Sequence, residues 1–148
     1  MKIACAFDHA GFPLRDVVFA AVEQAGHEVI DLGVRSEEPV DYPDVARKVG
    51  RAVASGVAER GVLVCGSGAG VSIAASKIDG IYAATIHDEY SAHQAVEHDG
   101  LNVLCLGSRV VGSELAREIV LRFLAAEVSD DERHIRRREK LLQIEQEN

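Results

Sequence analysis

The chain has 148 residues, 47% of them hydrophobic, and a formal charge of -8 from 16 basic and 24 acidic side chains. That length supports one sizeable core, so a single domain over residues 1–148 is expected. The acidic balance argues against non-specific binding to nucleic acid or to anionic membranes, and an anionic ligand would need a local cluster of positive groups.

The first strand is read over residues 2–7, KIACAF, and it runs into Asp8, His9 and Gly11. In the helix expected over 12–25, Leu14, Val17, Val18, Ala21, Val22 and Ala25 form one apolar stripe, and Gly26 follows where a helix C-terminus favours glycine. A second strand is read over 27–33, HEVIDLG. DYPD at 41–44 is primarily a helix start, with Pro43 suited to the first turn, although Asp41 and Tyr42 are also candidate sugar contacts. Its helix spans 43–56.

The strand GVLVC at 61–65 leads through CGSGAG into a helix over 69–77. IYAATI at 81–86 precedes His87, Asp88 and a helix over 88–97. LNVLCLG at 101–107 precedes Ser108, Arg109 and a helix over 112–126. From Asp130 onward the tail has an acidic start, a basic cluster and then Leu141, Leu142 and Ile144, which reads as a helix with a favourably charged N-terminus. Strongly polar and placed after the last strand, the segment 130–148 is expected to lie against a neighbouring subunit.

Continuous apolar strands alternating with helices imply a Rossmann-like three-layer α/β/α sandwich with a mostly parallel five-stranded sheet and a C-terminal helix. Ligands in such folds bind beyond the carboxyl ends of the strands. That rule gathers Asp8, His9 and Gly11, then Cys65 to Gly70, His87 with Asp88, and Gly107 to Arg109.

Within CGSGAG, the alternate glycines Gly66, Gly68 and Gly70 let backbone approach a ligand, and the amides that begin the next helix suit a phosphate or an oxyanion. The plainer alternative is a tight strand-to-helix turn. Val71 stands where a dinucleotide fingerprint needs glycine and where a cysteine phosphatase loop needs arginine, and no P-loop lysine follows.

A thiol at a strand end facing such amides can act as nucleophile or base, so Cys65 is a candidate, whereas Cys5 and Cys105 fall inside apolar strands. A small buried residue is the alternative for Cys65 too. His9 and His98 stand at element ends, while His27 and His93 have no supporting motif. Arg133 and Arg137, four apart on one helical face, could grip a phosphate, although ERHIRRREK also reads as a solvated charged face. The cysteines show no metal-site spacing, and no segment reaches the roughly 18 apolar residues of a membrane span. MKIACAFDHAG is too short an apolar run for a secretory signal, so a cytoplasmic, thiol-reducing setting is expected.

Taken together, FDHAGF (7–12), EVIDLG (28–33), DYPD (41–44), VCGSGAGVSIAASK (64–77), EHDGLNVLCLGSRVVG (97–112) and RHIRR (133–137) resemble the type B ribose 5-phosphate isomerases and their relatives, the galactose 6-phosphate isomerase subunits. The motifs occur in family order over essentially the whole chain. The resemblance implies that Cys65 moves a proton between C1 and C2 of an open-chain sugar phosphate and that His98 assists ring opening. It also implies that amides across Gly66, Ser67, Gly68, Ala69 and Gly70 hold the enediolate. Asp8, His9 and Arg109 match substrate contacts, and Arg133 and Arg137 match phosphate-binding arginines.

The family resemblance further implies a homo-oligomer, a dimer or a dimer of dimers, with sites shared between subunits, and neither metal nor organic cofactor. Two positions depart from the family pattern: Ser67 stands where threonine is common, and Asp99 where asparagine is frequent. They bear on substrate preference, with ribose 5-phosphate expected and allose 6-phosphate or galactose 6-phosphate as six-carbon alternatives. A non-enzymatic phosphate- or nucleotide-binding module is the rival from another class.

Overall fold

In the computed structural model, which describes residues 1–148, the five apolar segments form one sheet: β1 (Lys2–Phe7), β2 (Glu28–Asp31), β3 (Arg60–Cys65), β4 (Ala83–Thr85) and β5 (Val103–Gly107). Every neighbouring pair is parallel and the order is β2-β1-β3-β5-β4. The intervening helices are α1 (Arg15–Gln24), α2 (Tyr42–Ala54), α3 (Ala69–Ala75) and α4 (Glu89–Asp99), followed by α5 (Ser113–Ala125) and α6 (Glu132–Gln146). No helix is long and apolar enough to cross a membrane.

The strands are apolar on both sides because both faces are covered. Ile3, Cys5, Phe7, Val62, Val64, Leu104 and Leu106 join the core formed with α1, α4 and α5. Alternate residues Ala4, Ala6, Leu63, Cys65, Val103 and Cys105 join the core under α2 and α3. Cys65 therefore shares its face with the helix that follows it.

Right-handed crossovers explain which helix lies where. The chain steps from β1 to β2 in one direction and from β2 past β1 to β3 in the other, so α1 and α2 must cover opposite faces. That reversal leaves a crevice between the carboxyl ends of β1 and β3.

Two differences from the sequence expectation bear on function. The outer strands β2 and β4 are shorter than read, because each is paired along one side only. Helix α4 runs to Asp99 and so includes His98 and Asp99 in its last turn.

Helix α6 rests on its own chain's α4: the His98 and His134 rings stack, Arg138 Nη1 donates to the His98 carbonyl at 3.2 Å, and Gly80 N–H donates to Glu145 at 2.8 Å. Ile135, Leu142 and Ile144 on α6 remain exposed. The helix thus has own-chain contacts along one side and uncovered apolar residues besides.

Gly11 closes the crevice. Its φ of -80° suits any residue, yet a Cβ there would stand 2.1 Å from the Val64 carbonyl oxygen. Gly11→Ala is expected to cost about 2 to 3 kcal/mol in urea unfolding through backbone displacement alone. A loss under about 0.5 kcal/mol would contradict this packing constraint.

Candidate active site

Cys65 ends β3 at the β1/β3 crevice and is 5% exposed. Three residues later the chain must turn into α3, and Gly68 does this with φ +80°, a left-handed conformation that favours glycine. The turn brings the Gly68 N–H to 3.1 Å from Cys65 Sγ, a donor placed where negative charge on sulfur needs one. From β4, the Thr85 hydroxyl donates to the Gly68 carbonyl at 2.8 Å and fixes the turn from its other side.

The other thiols are differently placed. Burial, together with the Asp31 charge, pushes Cys5 up to about 12. Burial likewise raises Cys105, with the nearby Cys65 adding to the effect.

Not every amide of the glycine loop is free for a ligand. Gly68 serves the sulfur, and Ala69 N–H bonds to Ser67 Oγ at 3.2 Å. Gly70 and Val71, in the first turn of α3, have no intrahelical acceptor by helix geometry. The Tyr42 ring packs directly over Gly70, where a Cβ would lie 2.8 Å from Cε2.

A cavity of about 380 Å³ opens above this loop, walled by Asp8, His9, Ala10 and Tyr42 on one side and by Cys65, Gly66, Ser67, Gly70, Arg109 and Val110 on the other. Asp8 is 5% exposed, and its Oδ1 accepts the Gly11 amide at 2.8 Å, so it both forms the turn and faces the cavity. His9 Nδ1 accepts the Val40 amide at 3.2 Å, which leaves the proton of the neutral ring on Nε2. The Arg109 amide bonds to the Gly66 carbonyl at 3.1 Å, and its guanidinium has no acidic partner. One carboxylate, one imidazole, one unpaired cation and one thiol thus meet around a space fit for a small anion.

Other candidates lie elsewhere. Asp41 is exposed at the start of α2 and is not part of the wall. His87 Nε2 accepts the Gly107 amide at 2.9 Å, and Asp88 caps α4 through the Ser91 amide at 2.7 Å. Both are structural in this chain. No three His, Cys, Asp or Glu side chains converge as a metal-binding group.

His98, Asp99, Arg133 and Arg137 do not reach the Cys65 cavity of their own chain. Gly107 at the far end of β5 pairs with Cys65, whereas His98 lies just before β5 begins. At about 3.3 Å per residue, the four steps of β5 alone separate the two edges by about 13 Å.

Asp99 instead lines a second cavity, of about 590 Å³, with Leu141 and Ile144. Arg133 lies 3.5 Å from Asp131, and Arg137 has no acidic partner. Sequence reasoning passed over Thr85, His134 and Arg138. Thr85 carried no motif, and the other two stood inside RHIRRR without any sign of which face they occupy.

Iodoacetamide at mildly alkaline pH is expected to label Cys65 alone in the native protein, read by mass spectrometry of peptides; comparable native labelling of Cys5 or Cys105 would contradict the assignment. A second expectation concerns acid. Burial holds His87 below the ordinary imidazole range, and protonation at Nε2 would break its bond to Gly107. The unfolded chain therefore binds the proton more readily, so stability is full above about pH 6.5 and falls as pH drops below it. His87→Gln, which keeps a non-titrating acceptor, should flatten that fall in a stability-pH series; an unchanged slope would remove His87 as a cause.

The sequence model of the ribose/galactose isomerase family matches residues 3–141. Ribose-5-phosphate isomerase B of Escherichia coli is 46% identical over 145 residues, 98% of this chain and 97% of that protein. D-erythrulose-4-phosphate isomerase of Pectobacterium atrosepticum is 40% identical over 129 residues, covering 86% of this chain and 84% of that protein. The structure matches type B ribose 5-phosphate isomerase from Trypanosoma cruzi with a TM-score of 0.97 at 41% identity, over 100% of both chains. A family match over nearly the whole length, carried by a fold that is also shared, establishes that the chain belongs to the ribose/galactose isomerase family.

Proposed function

We propose that this chain is an aldose-ketose isomerase that interconverts ribose 5-phosphate and ribulose 5-phosphate, with Cys65 as the base. The observation that carries the reading is the Cys65 thiol, backed by the Gly68 amide, on the wall of a cavity that also presents Asp8, His9 and Arg109. The thiolate takes the proton from C2 of the open-chain aldose while charge develops on the C1 oxygen. Returning that proton to C1, with transfer of the hydroxyl proton from O2 to O1, leaves the ketose. Free amides of the loop, those of Gly70 and Val71, stabilise the enediolate in between. A positioned base and fixed dipoles suffice for this step, so neither metal nor organic cofactor is called for.

The complementary groups come from a second copy. His98 serves ring opening, Arg133 and Arg137 take the phosphate, and Asp99 stands beside His98. A two-fold axis perpendicular to the strands turns the sheets antiparallel, which sets the Cys65 edge of one subunit against the His98 edge of the other. The exposed Ile135, Leu142 and Ile144 of α6, together with Ile73 on α3, suit burial in such a contact. In this reading α6 spans the subunit boundary, and the protein works as a dimer or dimer of dimers in the cytoplasm, where its three thiols stay reduced.

Five-carbon substrate is favoured by the relative named for ribose 5-phosphate, at 46% identity over nearly all of both chains. The relative named for erythrulose 4-phosphate keeps a four-carbon reading in the panel of candidates.

An isomerase assay across four-, five- and six-carbon sugar phosphates is expected to show highest kcat/KM on the ribose 5-phosphate pair. Cys65→Ala should lower kcat by about 10²- to 10⁴-fold. A wild type that turns over none of these sugars, or a fully active Cys65→Ala, would overturn the reading in favour of a binding module. Ribulose 5-phosphate cannot close a furanose ring, because its 5-oxygen carries the phosphate. His98→Ala should therefore lose turnover of the aldose while keeping most of its kcat in the ketose-to-aldose direction; equal loss both ways would assign His98 a different role.

A further inference from the structure

Besides Asp8, one polar or charged side chain is buried in this chain: His134, 4% exposed, on α6 between Arg133 and Arg137. The proton transfers described above leave it without a task. Its ring lies parallel to that of His98, centroids 3.9 Å apart and planes 24° from each other. Its Nδ1 is 2.9 Å from Ser129 Oγ, and that oxygen also accepts the Asp131 amide at 3.1 Å. Arg138 ties the same three elements together, donating to the Ser129 carbonyl at 2.7 Å and to the His98 carbonyl at 3.2 Å. Burial, with the neighbouring His98 and Arg133 adding to it, lowers His134 from the ordinary imidazole range.

Resting on the reading of His98 as the ring-opening residue, we infer that His134 is a positioning residue that holds the His98 imidazole in one plane by stacking. A histidine at a helix C-terminus otherwise samples several rotamers, and acid-base catalysis at a sugar oxygen requires one orientation of the ring nitrogen. The platform belongs to the same subunit as His98. The ring is therefore ordered before a second copy or a substrate arrives, and the conformational loss is taken in folding rather than in binding.

The test compares His134→Ala, which removes the ring, with His134→Phe, which keeps a flat face but no hydrogen bond to Ser129. His134→Ala should lower kcat for aldose-to-ketose turnover by about 3- to 10-fold, the worth of one aromatic stack. Its KM and its kcat in the ketose-to-aldose direction should change by less than about 2-fold, while His134→Phe recovers most of the loss.

An independent readout is the His98 ring proton resonance, which should carry a ring-current shift in wild type and in His134→Phe and lose it in His134→Ala. This signal stays interpretable at any level of activity, and circular dichroism checks that each variant is folded. The inference is overturned if the His98 resonance is unmoved in folded His134→Ala. It is equally overturned if His134→Phe is as impaired as His134→Ala, or if the effect is a rise in KM alone, which would make His134 a phosphate ligand. Failure of the isomerase reading itself appears differently, as wild type without turnover or as Cys65→Ala with full activity.

Discussion

In a parallel sheet each helix carries the chain back to the edge where strands begin, so residues that follow strands collect at one edge and residues that precede strands collect at the other. Cys65 ends β3 and His98 precedes β5, and the two strands are paired. No side-chain rearrangement joins groups held at opposite ends of a paired strand. A site that uses both must therefore be built from two copies. The same constraint places Asp8, His9 and Arg109 with the thiol, whereas the packing of α6 on α4 brings Arg133 and Arg137 to the histidine's end. On the proposed reading, each chain carries two unlike half-sites, one for the proton transfer and one for the ring and phosphate.

Within the first half-site, order depends on the left-handed turn at Gly68. That turn lets a backbone amide reach the Cys65 sulfur while Thr85 of β4 holds the adjoining carbonyl. A side chain at Gly68 would meet Thr85 Cγ2 at 2.9 Å and the Leu106 backbone at 3.0 Å, so conformation and space both call for glycine. Cys105, on the same sheet face but two residues from its strand end, is raised by burial and by the nearby Cys65, which outweigh the opposing hydrogen bond from Ser72. Position at the strand end, more than residue type, separates the candidate base from its neighbours.

Much of this was legible in the sequence. Apolar runs alternating with helical stripes yield the parallel sandwich, and the strand-end rule selects the Cys65 loop, Asp8, His9 and Arg109. Tyr42 was visible as a helix start, with its packing over Gly70 hidden. His98 was legible as preceding the strand read over 101–107; what sequence did not show is that it lies in the last turn of α4. Nor could spacing distinguish His134 from the arginines around it, because the inner face of α6 is set by what α4 offers. The loop's amides were read as a single nest, yet those of Gly68 and Ala69 are engaged within it.

The shared site is tested most directly by mixing two inactive variants. Cys65→Ala and His98→Ala, unfolded together in equal amounts and refolded, form mixed pairs at random. Each mixed pair of a two-fold dimer has one site with both groups intact, so aldose-to-ketose activity should return to about one quarter of wild type. If the mixture shows no more than the sum of the two separate variants, the two groups act within a single chain and the account of two half-sites is wrong.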